Sequence, residues 1–109
     1  RAKNASVIKD RLKDVAPDAN VKDFVDHIDY LVKKIGIDHV GISSDCDGGG
    51  GVEGWDSAAE TYNVTLELVR RGYTKKQIEK LWSGNLLRVL DEVQKVAREI
   101  QAADRKAGK

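Results

Sequence analysis

Hydrophobic positions recur along most of this chain at helical spacing. Val21, Phe24, Val25, Ile28, Leu31, Val32 and Ile35 fall at i, i+3, i+4 and i+7, which predicts an amphipathic helix over residues 21–35. Asn20 stands where an N-cap belongs, Asp23 puts negative charge in the first turn, and Gly36 supplies the stop. Upstream, Ile8, Leu12, Val15 and Ala16 share one face of a shorter helix over residues 5–16, which Pro17 ends. Downstream, Asn63 or Thr65 opens a further helix that Gly72 closes after Arg70 and Arg71. Thr74 with Gln77 three residues on is a capping-box signature for a short helix holding Ile78, Leu81 and Trp82. Ser83-Gly84 predicts a break, and Asn85 then caps a long last helix. Its expected buried stripe is Leu86, Val89, Leu90, Val93, Val96, Ala97 and Ile100, and its charged end over 104–109 is expected to fray.

Residues 38–44 carry the one strand pattern. Val40 and Ile42 alternate with Gly41 and Ser43, giving a bulky face and a small face. Continued, the alternation puts Asp45 on the small face just past the strand's carboxyl end, where α/β folds place their chemistry. A loop over residues 45–56 follows, with glycines from Gly48 to Gly51 that allow sharp turns and close approach of the backbone. A lone strand has unpaired backbone groups on both edges, so its partners must lie outside these residues. Helix–strand–helix is also the repeating unit of a parallel barrel, and one unit cannot close a sheet. The fold class expected is therefore α/β. Residues 1–109 would be the C-terminal part of one barrel domain: its last helix–strand unit plus closing helices over residues 64–103, mostly helical when taken alone.

Composition narrows the function classes. Across 109 residues, 19 Lys+Arg stand against 18 Asp+Glu, a net charge of +1 that gives no reason to invoke nucleic acid or an anionic membrane surface. The single Cys46 excludes an internal disulfide framework and a thiolate zinc cluster. No apolar run approaches the roughly 20 residues of a transmembrane helix. No signal peptide is expected, and the opening at Arg1, in mid-pattern and without Met, reads as a piece of a longer protein. The compartment is left open between cytoplasm and, in a bacterium, periplasm or secretion.

The run Asp38-His39-Val40-Gly41-Ile42-Ser43-Ser44-Asp45-Cys46-Asp47-Gly48 resembles the membrane (renal) dipeptidase family of the amidohydrolase superfamily. The resemblance extends upstream to residues 25–30 and downstream to 66–74 and 84–89, so that its blocks span about 21–96. The family usually has an apolar residue at position 46; Cys46 is a mild departure, since a free cysteine packs as a small hydrophobe. The resemblance implies a (β/α)8 TIM barrel with a binuclear zinc site that hydrolyses dipeptides. It would make 38–44 the eighth barrel strand and 21–35 the helix before it. The family's ligands (a His-x-Asp pair, a bridging Glu and two later His) come from segments not in this chain, so no metal ligand is expected here. His27 and His39 read as structural. The partners implied are the dipeptide substrate and either the remainder of the barrel or a homo-oligomer.

By the same resemblance Asp45 is the general acid/base, taking a proton from the metal-bound water and passing it to the departing amine. From the residues alone, an Asx turn is the favoured reading of Asp45. Asp47 reads as a loop-organising carboxylate, and Gly48, Gly49 and Trp55 as loop or substrate-lining residues, Trp55 suiting packing of the loop equally well. No Lys follows the glycines, so they are a poor phosphate cradle, and Gly49 at the fifth position spoils an EF-hand. Two flanking carboxylates disfavour a Cys46 thiolate nucleophile. Arg70, Arg71 and Arg88 read as solvated charges near helix ends. The alternatives to an enzyme are a helical binding or scaffolding module and a barrel that has lost its metal site.

Overall fold

The computed structural model describes residues 7–8, 10–12, 18–46 and 48–109. Residues 7–8 and 10–12 are helical, as the pattern over 5–16 predicts, with Val7, Ile8 and Leu12 exposed; Val15, Ala16 and Pro17 lie outside the described residues. The remaining helices are α1 (Val21–Ile35), α2 (Thr61–Arg70), α3 (Lys75–Glu79) and α4 (Asn85–Lys106). The chain divides into two compact units, one of residues up to Ile28 with Ser44–Arg71, the other of Asp29–Ser43 with Gly72–Lys109.

In the first unit, α1 starts at a reciprocal cap. The Asn20 side-chain oxygen accepts from the backbone of Lys22 at 2.8 Å and of Asp23 at 3.3 Å, while the Asp23 carboxylate accepts from the Asn20 N–H at 2.9 Å. Three otherwise orphan donors are thereby satisfied. The segment after the glycine run lies beside this cap: Glu53 donates to Ala19 O at 2.9 Å and accepts from Val21 N at 3.1 Å. Val52 and Trp55 then close a tight turn through two mutual backbone bonds, with Gly54 at φ +87° between them. That angle favours glycine, and a Cβ there would press on Val21 at 3.2 Å. Trp55 is 4 % exposed, meets Phe24 edge-to-face at 5.1 Å between ring centroids, and donates its indole N–H to Thr61 Oγ1 at 3.1 Å. Val25, Val64 and Leu68 are wholly buried.

In the second unit, α1 ends at Gly36, whose N–H reaches Val32 O, and a single 3₁₀ turn (Ile37–His39) follows. The expected strand over 38–44 is not formed. Val40 is extended at φ −114°, ψ +134° and buried, yet no ladder exists among the described residues. The alternation does report an extended backbone, but a strand needs a neighbour, and none is supplied here. From this run Ile42 N–H reaches Leu81 O at 3.0 Å, while His39 N–H turns back to Gly36 O at 3.2 Å.

The capping box at Thr74 is present in both directions, Gln77 N to Thr74 Oγ1 at 3.3 Å and Thr74 N to Gln77 Oε1 at 2.9 Å. The break expected at Ser83-Gly84 is replaced by a π turn (Lys80–Gly84) that carries α3 directly into α4. Gly84 stays helical at φ −58°, and a Cβ on it would sit 3.2 Å from the Glu79 carbonyl oxygen, so the bare glycine lets the wide turn close. The stripe expected to be buried on α4 is exposed: Leu86, Val89, Leu90, Val93, Val96 and Ile100 are 48–71 % accessible. A one-sided helix needs a second layer, and no described element supplies one along its length.

Candidate functional site

The residues that the sequence singles out lie along the loop over 45–56 and in the run that precedes it. Asp45 is exposed and its backbone adopts φ +54°, alone among the described non-glycine residues in taking a positive value. Its carbonyl accepts from Gly48 N at 3.0 Å and Gly50 N at 3.2 Å, and Cys46 N donates to Ser44 Oγ at 3.1 Å. The chain therefore reverses tightly at Asp45. A Cβ at Gly48 would collide with the Asp45 carboxylate and one at Gly50 with the Ser44 carbonyl, so these glycines leave room for the acid over the turn. Gly49 is exposed at φ +138°, and Asp47 lies outside the described residues.

Trp55, read as loop or substrate-lining, is fully engaged in packing within its unit. The next carboxylate, Asp56, has its backbone N–H on Glu60 Oε2 at 2.8 Å. Two open clefts adjoin this loop. One, of about 360 Å³, has Asn20, Lys22, Glu53, Asn63, Glu67 and Arg70 in its walls; the other, of about 300 Å³, has Asp18, Gly51, Glu53 and Asp56. Asp45 lines neither.

Zinc is not matched by the residues present. His27 and His39 are both exposed, and among the described residues no three of His, Cys, Asp and Glu converge. A zinc centre takes at least three protein ligands. No step of chemistry is therefore assigned to a metal held by this chain.

Several polar residues do more than their sequence reading gives them. Arg71, expected as a solvated charge, donates to Glu67 Oε1 at 3.0 Å, to Asp26 Oδ1 at 2.6 Å and to Lys22 O at 2.9 Å. Its planar fork suits such divergent acceptors. Asn85, expected to cap its own helix, is 6 % exposed and turns its amide onto two carbonyls of the preceding run, Ile37 O at 2.6 Å and Val40 O at 2.9 Å. Arg88 donates to Asp38 O at 2.7 Å, and Lys80 pairs with the Asp38 carboxylate. The Lys80 ammonium, by its hydrogen bond and its charge, holds the Asp38 carboxyl below its ordinary range against the opposing effect of burial; the Arg88 and His39 charges add to the lowering. These partners are 42–50 positions apart in the chain, so no local pattern announces them.

The comparisons with known proteins agree with one another. The family model described as membrane dipeptidase (peptidase family M19) matches residues 4–104. Dipeptidase ataJ of Aspergillus terreus is 43 % identical over 90 residues, covering 80 % of this chain and 22 % of its own length. Dipeptidase tcpJ of Claviceps purpurea is 38 % identical over 80 residues, 72 % of this chain and 19 % of its own. Among solved structures, the crystal structure of the probable dipeptidase PvdM from Pseudomonas aeruginosa aligns at a TM-score of 0.75 and 54 % identity, over 86 % of this chain and 23 % of that one. The chain thus spans about a fifth of the length of the relatives it matches. With a matched segment that covers nearly every residue described above, the chain belongs to the membrane dipeptidase family.

Proposed function

We propose that this chain is the C-terminal part of a zinc-dependent dipeptidase barrel and brings to it the acid/base carboxylate, Asp45. The observation that carries this reading is the 54 % identity and TM-score of 0.75 to a probable dipeptidase over 86 % of the chain. In that setting the extended run at Val40 is a barrel stave whose neighbours come from the rest of the enzyme, and the exposed stripe of α4 packs on that remainder. The zinc ligands likewise come from residues outside this chain. Zinc, when bound, supplies Lewis acidity at the scissile carbonyl and a more acidic water.

This chain's own contribution is a proton shuttle. Asp45 takes a proton from the attacking water and delivers it to the amine leaving the peptide bond. Its solvent exposure and the turn that presents it leave the carboxylate free to face a substrate. The loop glycines keep bulk away from it.

The test is Asp45→Asn in the protein that carries this chain. Turnover of a dipeptide should fall by about 10²–10⁴-fold, with zinc content and fold unchanged. Retention of near-full turnover would remove Asp45 from the chemistry. The 109-residue chain alone should neither cleave dipeptides nor bind stoichiometric zinc, and activity in it would overturn the reading.

A further inference from the structure

The second unit holds its extended run by polar groups rather than by a sheet. Asn85 has one side-chain nitrogen and spends it on Ile37 O and Val40 O; Arg88 takes Asp38 O, Lys80 takes the Asp38 carboxylate, and Leu81 O takes Ile42 N–H. All four anchors lie within nine residues, on the π turn and the first turn of α4. Asn85 is the buried member of the set, and its amide has a fixed direction that a solvated side chain lacks. No other arrangement of that amide satisfies both carbonyls, since a carboxylate or a methyl in its place donates nothing.

We propose that Asn85, supported by Lys80 and Arg88, is a positioning residue that fixes the backbone of residues 37–42, and with it the register in which the chain enters Asp45. Only Ser43 and Ser44 stand between Ile42 and Asp45 in the sequence. An error in that run passes along the backbone to the acid, and catalysis is steeply sensitive to misplacement of a reacting group. The π turn belongs to the same device: it holds Leu81 O where Ile42 N–H finds it, and Gly84 permits the turn. The inference rests on Asp45 being the acid/base, as proposed above.

The experiment compares Asn85→Ala, the isosteric Asn85→Asp and the milder Arg88→Met in the protein that carries this chain. Hydrogen exchange over the peptide 37–43 should accelerate about tenfold in both Asn85 variants, while peptides from 52–70 exchange as before. Per folded, metal-loaded molecule, kcat should fall by about ten- to a hundredfold with KM changed less than about twofold. Arg88→Met should move both readouts the same way by about threefold and serves if the Asn85 variants do not fold. An unchanged exchange rate over 37–43, or a lowered melting temperature with kcat per folded molecule intact, overturns the proposal. Asp45→Asn, run alongside, separates the two ideas. If it abolishes turnover while the Asn85 variants do not, the positioning role falls and the acid/base role stands. If it leaves turnover intact, both fall.

Discussion

Two short segments of this molecule belong to no α-helix or β-ladder and are nonetheless held firmly, by opposite means. The turn Val52–Trp55 is anchored by an apolar body: Trp55 is buried against Phe24, with its indole N–H on Thr61. The run 37–42 is anchored by polar atoms, the Asn85 amide on two carbonyls and charged groups around Asp38. Burial of an aromatic is non-directional and scales with area, so it stabilises strongly but specifies geometry loosely. A buried amide shared between two carbonyls contributes less net free energy and tolerates almost no displacement. The difference teaches where each device belongs. Mass suffices to pin a loop, whereas direction is needed to aim a backbone.

Substitutions can break that contrast. Trp55→Ala should cost the most, about 3–5 kcal/mol, since it removes a large buried ring and leaves a cavity beside Phe24. Trp55→Phe should recover most of that, because area rather than the Thr61 bond carries the anchor; denaturant midpoints decide it. Asn85→Ala should cost less, about 1–3 kcal/mol, as two carbonyls lose their donor. Asn85→Asp should be no better than Ala despite its matching shape, which would show that donation and not volume is at stake. A result in which Asp rescues Asn85 while Phe fails to rescue Trp55 would invert the comparison.

The smallest effect is the most diagnostic of charge. Asp38 has its carboxyl lowered by Lys80, so its contribution is fully present above the ordinary carboxylate value near 3.8. It is lost as pH falls through the depressed value. In Lys80→Met the acid limb of a stability-versus-pH curve should lose that component, and added salt should weaken it in the wild type, because the pair is only partly buried. The turn at Trp55 should show no such pH or salt dependence.

Much of the helical framework was legible because it is local. The i, i+3, i+4 spacing from Val21 to Ile35 is observed as α1, and Asn20, Gly36, Gly72 and Thr74 punctuate the chain as their chemistry requires. Boundaries slipped where tertiary structure decides them: α2 begins at Thr61, the residue that also receives the Trp55 N–H, rather than at Asn63 or Thr65. Gly84 reads as a breaker, yet a glycine also suits the crowded inside of a π turn, and propensity alone does not separate the two. Alternation at Val40 and Ile42 gave the extended backbone but not a sheet, because pairing is a property of two segments. The stripe on α4 was read correctly as apolar and wrongly as buried; a pattern states which face seeks cover, not whether cover is present. Asn85 was invisible as an anchor, since its acceptors lie 45 and 48 residues away. The motif singles out Asp45 but says nothing of the left-handed backbone it adopts.

That backbone has a practical consequence for anyone who would interrogate the acid genetically. An aspartate in the left-handed basin is tolerated because its short polar side chain suits local hydrogen bonding there, and asparagine shares that tolerance while alanine does not. Replacement by alanine would merge two injuries, a missing charge and a reluctant bend. The amide replacement deletes the charge alone and lets the chain keep its path.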